Sequence, residues 1–274
     1  MRIGIVAPST PIEPALAETV VAVAARTRPE AELVFHPQCF LSDGHFAGSD
    51  AVRAAALIEV ANDPAIDAIW CARGGYGACR IAGDVLDALA PAARDKAWLG
   101  YSDAGFLLAG LYRRGIGRVA HGPMPADLKR EGGEAAVARA LGWLCAGDDA
   151  ALEPSVAPGA AHAAFNMVVL SHLLGTDLEP DLSGHVLMLE EVAEHTYRTD
   201  RALFHITGHP AIRRVAGIRL GRCTLVPEND RPFGGDELAS ARMWCARAGI
   251  SFLGLADIGH DAANKVVPFG RWHG

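Results

Sequence analysis

Ser102 lies in the run Gly100-Tyr101-Ser102-Asp103, between two apolar stretches, Ala97-Trp98-Leu99 and Phe106-Leu107-Leu108-Ala109. That order predicts a strand end, a tight turn and a helix start. A serine there can point its hydroxyl out of the turn, beside helix N-terminal amides able to hold a tetrahedral oxyanion. The chemistry would be attack on a carbonyl. The same serine could instead cap the helix and react with nothing. Gly74-Gly75-Tyr76-Gly77 also falls between an apolar run and a helical pattern. Its glycines permit positive φ and close backbone approach, so it reads either as an oxyanion site or as a plain tight turn. It has neither the GKS/T ending nor the GxGxxG spacing of a phosphate loop.

An acyl-transfer serine needs a base and a carboxylate to orient it. Glu190 and Glu191 follow the apolar run Val186-Leu187-Met188-Leu189, with Glu194 close by. They could orient a histidine or form a solvated loop. Among 11 histidines, His260 stands out because it follows an apolar run and a glycine, in Gly259-His260-Asp261. His121, His205 and His209 compete for the role of base. None of these histidines has the spacing of a metal site, so no metal is expected. The order Ser102, Glu190, His260 is also that of α/β-hydrolases, but their elbow is GxSxG and here Ala104 occupies the last position.

The elements that must position these groups alternate. Apolar runs at Ile3–Ala7, Glu32–Phe35, Ala68–Cys71, Trp98–Leu99 and Arg118–Ala120 predict strands. Helical patterns lie between them, at Ile12–Arg26 and from Ser49-Asp50 onward, for example. This is the pattern of a parallel, doubly wound α/β sheet, whose sites lie beyond the strands' carboxyl ends. A charged helix is predicted over Asp127–Ala151, and Glu153–Gly159 reads as a linker. Beyond it, strands at Val186–Leu189, Ile218–Gly221 and Ser251–Gly254 and helices at Thr199–Thr207 and Asp236–Ala248 predict a smaller α/β unit. We therefore expect an N-terminal domain over 1–150, within which Ser102 lies, and a C-terminal domain over 160–274, within which Glu190 and His260 lie.

With 274 residues, half of them apolar, the chain can bury a sizeable core. A net charge of -7 with no basic block argues against nucleic acid or an anionic membrane as a partner. No stretch approaches the about 18 apolar residues of a membrane span. Six cysteines are scattered without CxxC pairs and read as free thiols, so a reducing, cytoplasmic location is expected.

Several segments together resemble the LD-carboxypeptidase family, which includes muramoyltetrapeptide carboxypeptidases and microcin-C immunity peptidases. They are Ala7-Pro8-Ser9, Asp63-Pro64, Ala72-Arg73-Gly74-Gly75-Tyr76-Gly77, Gly100-Tyr101-Ser102-Asp103 and His121-Gly122-Pro123-Met124. In the second half they are Leu189-Glu190-Glu191-Val192-Ala193-Glu194, Tyr197–Arg201, Gly259–Asn264 and Pro268-Phe269-Gly270. The resemblance implies a flavodoxin-like parallel-sheet N-terminal domain and a smaller swivelling β/β/α C-terminal domain. It implies Ser102 as nucleophile, Glu190 as orienting acid, His260 as base, and the backbone amides of Gly75 and Asp103 as oxyanion hole. It further implies a muropeptide or other peptide substrate, peptidoglycan recycling, no cofactor and a possible homodimer. The rival expectations are a microcin-type amide substrate and a catalytically silent peptide-binding protein. Arg73 and Arg201 are candidates, on residue type, for binding the substrate carboxylate. Where the family has Gly-Gly-Asn-Leu, this chain has Ala164-Phe165-Asn166-Met167. Phe165 is expected to narrow a cleft or shift a loop.

Overall fold

The first five strands of the computed structural model, which describes residues 1–272, are those the alternating pattern predicts. They are β1 (Arg2–Val6), β2 (Glu32–Phe35), β3 (Ala68–Cys71), β4 (Ala97–Gly100) and β5 (Arg118–His121). All pair in parallel, in the spatial order β5-β4-β3-β1-β2. Between them run α1 (Pro14–Thr27), α2 (Asp50–Asn62), α3 (Ala78–Asp87) and α4 (Gly105–Arg113). β3 and β4 are buried at every position, as strands covered by helices on both faces must be. α1 begins at Pro14, whose missing N–H and fixed φ suit the first helical turn.

The helix predicted over Asp127–Ala151 is broken into three. A 3-10 turn at Pro125–Lys129 precedes α5 (Gly133–Ala146), and another follows at Asp149–Ala151. Gly132 (φ 73°) and Gly147 (φ 63°), both left-handed, bound α5 and redirect the chain.

The second sheet comprises β6 (Ala161–Asn166), β7 (Val186–Val192), β8 (Gly217–Thr224) and β9 (Phe252–Leu255), again parallel and in that order. Its helices are α6 (Met167–Leu173), α7 (Thr196–Gly208) and α8 (Glu237–Ala248). Asp236 caps α8 by accepting from the Ala239 amide at 2.7 Å. Two short antiparallel strands close the chain. β10 (Val267–Pro268) pairs with β5 of the first sheet, and β11 (Gly270–Arg271) pairs with β6 of the second. β6, α6, β10 and β11 were not foreseen from the sequence.

The two sheets share one apolar core. Leu107, Leu108 and Leu111 of α4 pack in the same buried cluster as Val169, Leu170 and Leu173 of α6. Gly105 permits this approach, since a Cβ there would lie 3.1 Å from Val169 Cγ1. Phe165 is also in this core. It is 1% exposed, and its ring lies 5.0 Å from that of Phe269. It therefore fills the interior between the sheets, which corrects the expectation that it narrows a cleft.

Candidate active site

β4 ends at Gly100, and the turn that follows places Ser102 at φ 57°. A left-handed serine costs on the order of 1–3 kcal/mol and persists only where its surroundings hold it. Here the next residue supplies the restraint. The buried Asp103 carboxylate accepts from Ser9 Oγ at 2.5 Å and from the Ala78 amide at 2.8 Å, at the start of α3. Burial pushes its acidity down, raising its pKa, and the two donors and nearby Arg53 partly offset this. Tyr101, on the other side, is buried and donates to Asp127 Oδ1 at 2.7 Å. The strained serine is thus clamped by both neighbours.

The glycine turn after β3 wraps the same point. Gly75 has φ 115° and Gly77 φ 136°, values that exclude a side chain. Thr10 Oγ1 donates to Gly74 O at 2.7 Å, and buried Arg53 donates to Gly77 O at 2.9 Å and to Pro8 O. Among the described residues, the Gly75 and Asp103 amides donate to no backbone carbonyl in the turns that carry them.

Glu190 and His260 come from opposite ends of the second half, 70 residues apart. Glu190 is fully buried near the end of β7, and its Oε2 lies 2.5 Å from His260 Nδ1. Its Oε1 is buried without a hydrogen-bond partner among the described residues. Burial of the His260 ring opposes its protonation, but the charge and hydrogen bond of Glu190 outweigh this, so the net shift is upward. With Nδ1–H directed at Glu190, the neutral ring presents Nε2 as an acceptor. The loop that carries His260 is pinned from several sides. Asn264 Oδ1 accepts from the Gly259 amide at 3.1 Å and lies 3.2 Å from His121 Nε2. Arg139 donates to the carbonyls of Ala262 and Asn264, each at 2.9 Å. The Tyr101 ring packs 4.7 Å from the His260 ring.

Ser102, Gly75 and His260 line one cavity of about 440 Å³. Ser102 and Gly75 also line a second cavity of about 900 Å³ on the other side. Among the described residues, no hydrogen bond joins Ser102 to His260; catalytic contacts of this kind often tighten only when substrate is bound. The competing histidines drop out. His121 is buried, and that burial is the main reason its pKa falls to about 4. His209 faces Glu179 at 3.6 Å, and His205 lines a cavity that contains neither Ser102 nor His260. Arg201 lines that same cavity, one turn along α7 from Arg198; the cavity shares Val168 and His172 with the one of about 900 Å³, but neither Ser102 nor His260 lines it. Arg73 does line the cavity with Ser102 and His260.

Strand alternation separates the two adjacent glutamates. Glu191 points the other way from Glu190 and accepts from Asn166 Nδ2 at 2.6 Å, the Val192 amide at 2.9 Å and the Val168 amide at 3.0 Å. Burial raises its pKa to about 7. Glu194 pairs with Arg198 at 2.6 Å. Ser9, Arg53, Asp127 and Asn264 support the site, and no sequence pattern marks them for that role. Ser9 and Asn264 lie within the segments that carry the family resemblance, but nothing in a lone polar residue shows which distant turn it will hold.

A doubly wound sheet with a strained serine at a strand end, joined to a second parallel sheet that supplies a carboxylate–histidine pair, is an arrangement suited to acyl transfer. Comparison with known proteins agrees. Residues 3–122 match the LD-carboxypeptidase N-terminal domain and residues 163–273 the LD-carboxypeptidase C-terminal domain. The chain belongs to the LD-carboxypeptidase family and is a serine-type carboxypeptidase. A Synechocystis relative with a provisional carboxypeptidase name is 32% identical over 250 residues, covering 87% of this chain and 79% of its own. The murein tetrapeptide carboxypeptidase of Pseudomonas aeruginosa is 27% identical over 243 residues, covering 83% of this chain and 78% of its own. In fold, the chain matches the muramoyltetrapeptide carboxypeptidase of Oxalobacter formigenes with a TM-score of 0.81 at 22% identity, over 98% of this chain and 93% of that one. It matches the immunity protein MccF, solved with glutamyl sulfamoyl guanosine, with a TM-score of 0.80 at 17% identity, over 98% and 91%.

Proposed function

We propose that this protein removes the terminal D-Ala from muropeptide tetrapeptides, at the meso-diaminopimelate–D-Ala bond, through Ser102, His260 and Glu190. The observation that carries the reading is the buried Glu190–His260 pair at 2.5 Å, on the cavity that holds left-handed Ser102. His260 Nε2 takes the Ser102 proton as Oγ attacks the carbonyl carbon of the diaminopimelate L-centre. The oxyanion lies on the Gly75 and Asp103 amides. As the C–N bond breaks, the imidazolium gives its proton to the departing nitrogen and D-Ala leaves. Water, deprotonated by the same ring, then hydrolyses the Ser102 ester. Glu190 stabilises the imidazolium in both halves. Among the described residues, no helix is long and apolar enough to cross a membrane. The six cysteines are all unpaired, which supports a reducing compartment and hence a role in recycling cell-wall peptides there. A homodimer remains part of this proposal.

The test is release of D-Ala from L-Ala-γ-D-Glu-meso-diaminopimelate-D-Ala by the protein and by Ser102→Ala. Release should fall on the order of 10,000-fold or more in the variant. Equal release by both would remove Ser102 from the chemistry. A second reading, hydrolysis of an acylated nucleotide analogue of the kind bound by MccF, draws on the size of the 900 Å³ cavity. Turnover of such a compound without turnover of the tetrapeptide would favour it.

A further inference from the structure

The two cavities that meet at Ser102 differ in charge and in access to His260. Ser102, Gly75 and Val192 border both. His260 lines only the smaller one. That lobe also holds Arg73, Lys129 and Arg130, against the single carboxylate of Asp127. Asp127 is already committed, since it accepts from Arg130 Nε at 2.9 Å, Tyr101 Oη at 2.7 Å and the Met124 amide at 2.8 Å. Arg73 and Lys129 are exposed and make no ion pair among the described residues. Arg73 has only a long contact, 3.3 Å, to the Pro11 carbonyl.

The larger lobe has the opposite character. Its Asp87 pairs with Arg114 at 2.7 Å, its Glu194 with Arg198, and its Glu191 is held by three donors. Asp177 adds a carboxylate without an ion pair among the described residues.

A general acid must reach the nitrogen it protonates. The departing residue must therefore sit on the His260 side, and there the cavity offers two uncommitted cations. We propose that Arg73 and Lys129 bind the free α-carboxylate of the departing residue in the smaller lobe, while the acyl peptide occupies the larger, acidic lobe. This assignment rests on the carboxypeptidase mechanism proposed above. It fixes the direction in which a peptide lies across Ser102, and it makes exopeptidase cleavage a result of charge. A chain that continues past the cleaved bond would put a neutral amide where the cations expect an anion.

The experiment pairs a charge change on the protein with one on the substrate. kcat/KM is measured for the tetrapeptide with a free C-terminal carboxylate and for its C-terminal amide. The proteins are the unsubstituted chain, Arg73→Gln, Lys129→Gln and the double variant. Both cations are solvent-exposed, which reduces what each contact contributes, so the unsubstituted protein should prefer the acid by about tenfold or more. The double variant should lose most of that preference by falling on the acid, while turnover of the amide stays within about threefold. Amide turnover thus reports that the variant is folded and its triad works. Equal losses on acid and amide, or an unsubstituted protein indifferent to the carboxylate, would overturn the lobe assignment and leave the tetrapeptide reading standing. If the unsubstituted protein cleaves neither peptide, the tetrapeptide reading falls and takes this assignment with it.

Discussion

A single methyl group at Gly74 should disable Ser102, the proposed nucleophile. A Cβ built there lies 2.9 Å from both Cβ and Oγ of Ser102 and 3.5 Å from Met124 Cε. Carbon atoms normally approach to about 3.5–4.0 Å, so the overlap with Ser102 Cβ is about 0.6 Å or more. Rotating χ1 of Ser102 carries Oγ away but leaves Cβ where it is. The glycine turn cannot retreat easily, because Thr10 holds the Gly74 carbonyl at 2.7 Å. Gly74 itself is not left-handed, so alanine brings no backbone penalty of its own and the clash is the whole effect. Ser102 must shift, and the adjacent Gly75 amide with it. A displacement approaching 1 Å in a reacting group costs about 100-fold in rate. We expect Gly74→Ala to lower kcat for D-Ala release about 100-fold at 25 °C, with KM within about threefold. Overpacking should also cost about 1–3 kcal/mol of stability, each kcal/mol lowering Tm by about 2–4 °C. Fluorimetric melting alongside the release assay separates the two effects. A variant that melts lower but keeps its kcat would show that the turn absorbs the methyl group, and the clamping of Ser102 argued from this geometry would be wrong.

Two further outcomes concern ionisation. The Glu190–His260 pair raises the His260 pKa above the usual 6.5, and the active ring is neutral, so kcat/KM should be lost as pH falls through a value above 6.5. Glu190→Gln removes the upward pull and leaves burial, so that limb should move to lower pH while kcat drops on the order of 10,000-fold; an unmoved limb would detach it from His260. For Glu191, the folded state keeps a proton up to about pH 7, whereas the unfolded chain releases it near 4.5. The folded state therefore binds more protons across that window, and stability falls as pH rises through it, by up to about 3 kcal/mol. Glu191→Gln should flatten this dependence between pH 5 and pH 8 in urea melts, and parallel curves for the two proteins would contradict the cause assigned.

What the sequence revealed follows the range of the forces involved. Local alternation of apolar runs and helical patterns is enough to predict five parallel strands and to put Ser102 at a strand end. The family resemblance then favours Glu190 over Glu191 and His260 among eleven histidines, which composition alone leaves open, and the fold does bring those two side chains together. Long-range choices were not legible. The Ser9–Asp103 bond spans 94 residues, and no property of either residue names the other. β10 and β11 have two residues each, too few for any periodicity, and exist only because β5 and β6 offer them an edge. Arg201 has the right chemistry, but its position on α7 places it on a cavity beside the one that Ser102 lines. Phe165, expected from the family's glycine to narrow a cleft or shift a loop, is taken up by packing on Phe269.

β10 also sets a timetable. The first sheet gains its sixth strand only from Val267–Pro268, which follow the His260 loop in the chain. During synthesis Ser102, its turn and the Gly75 amide are all made long before His260, the proposed base for that serine. A nascent or truncated chain lacking this stretch carries a strained serine with no base opposite it and an open edge on β5. Under the proposed mechanism, hydrolytic competence thus waits for His260, which is made only a few residues before the segment that completes the earlier-made sheet.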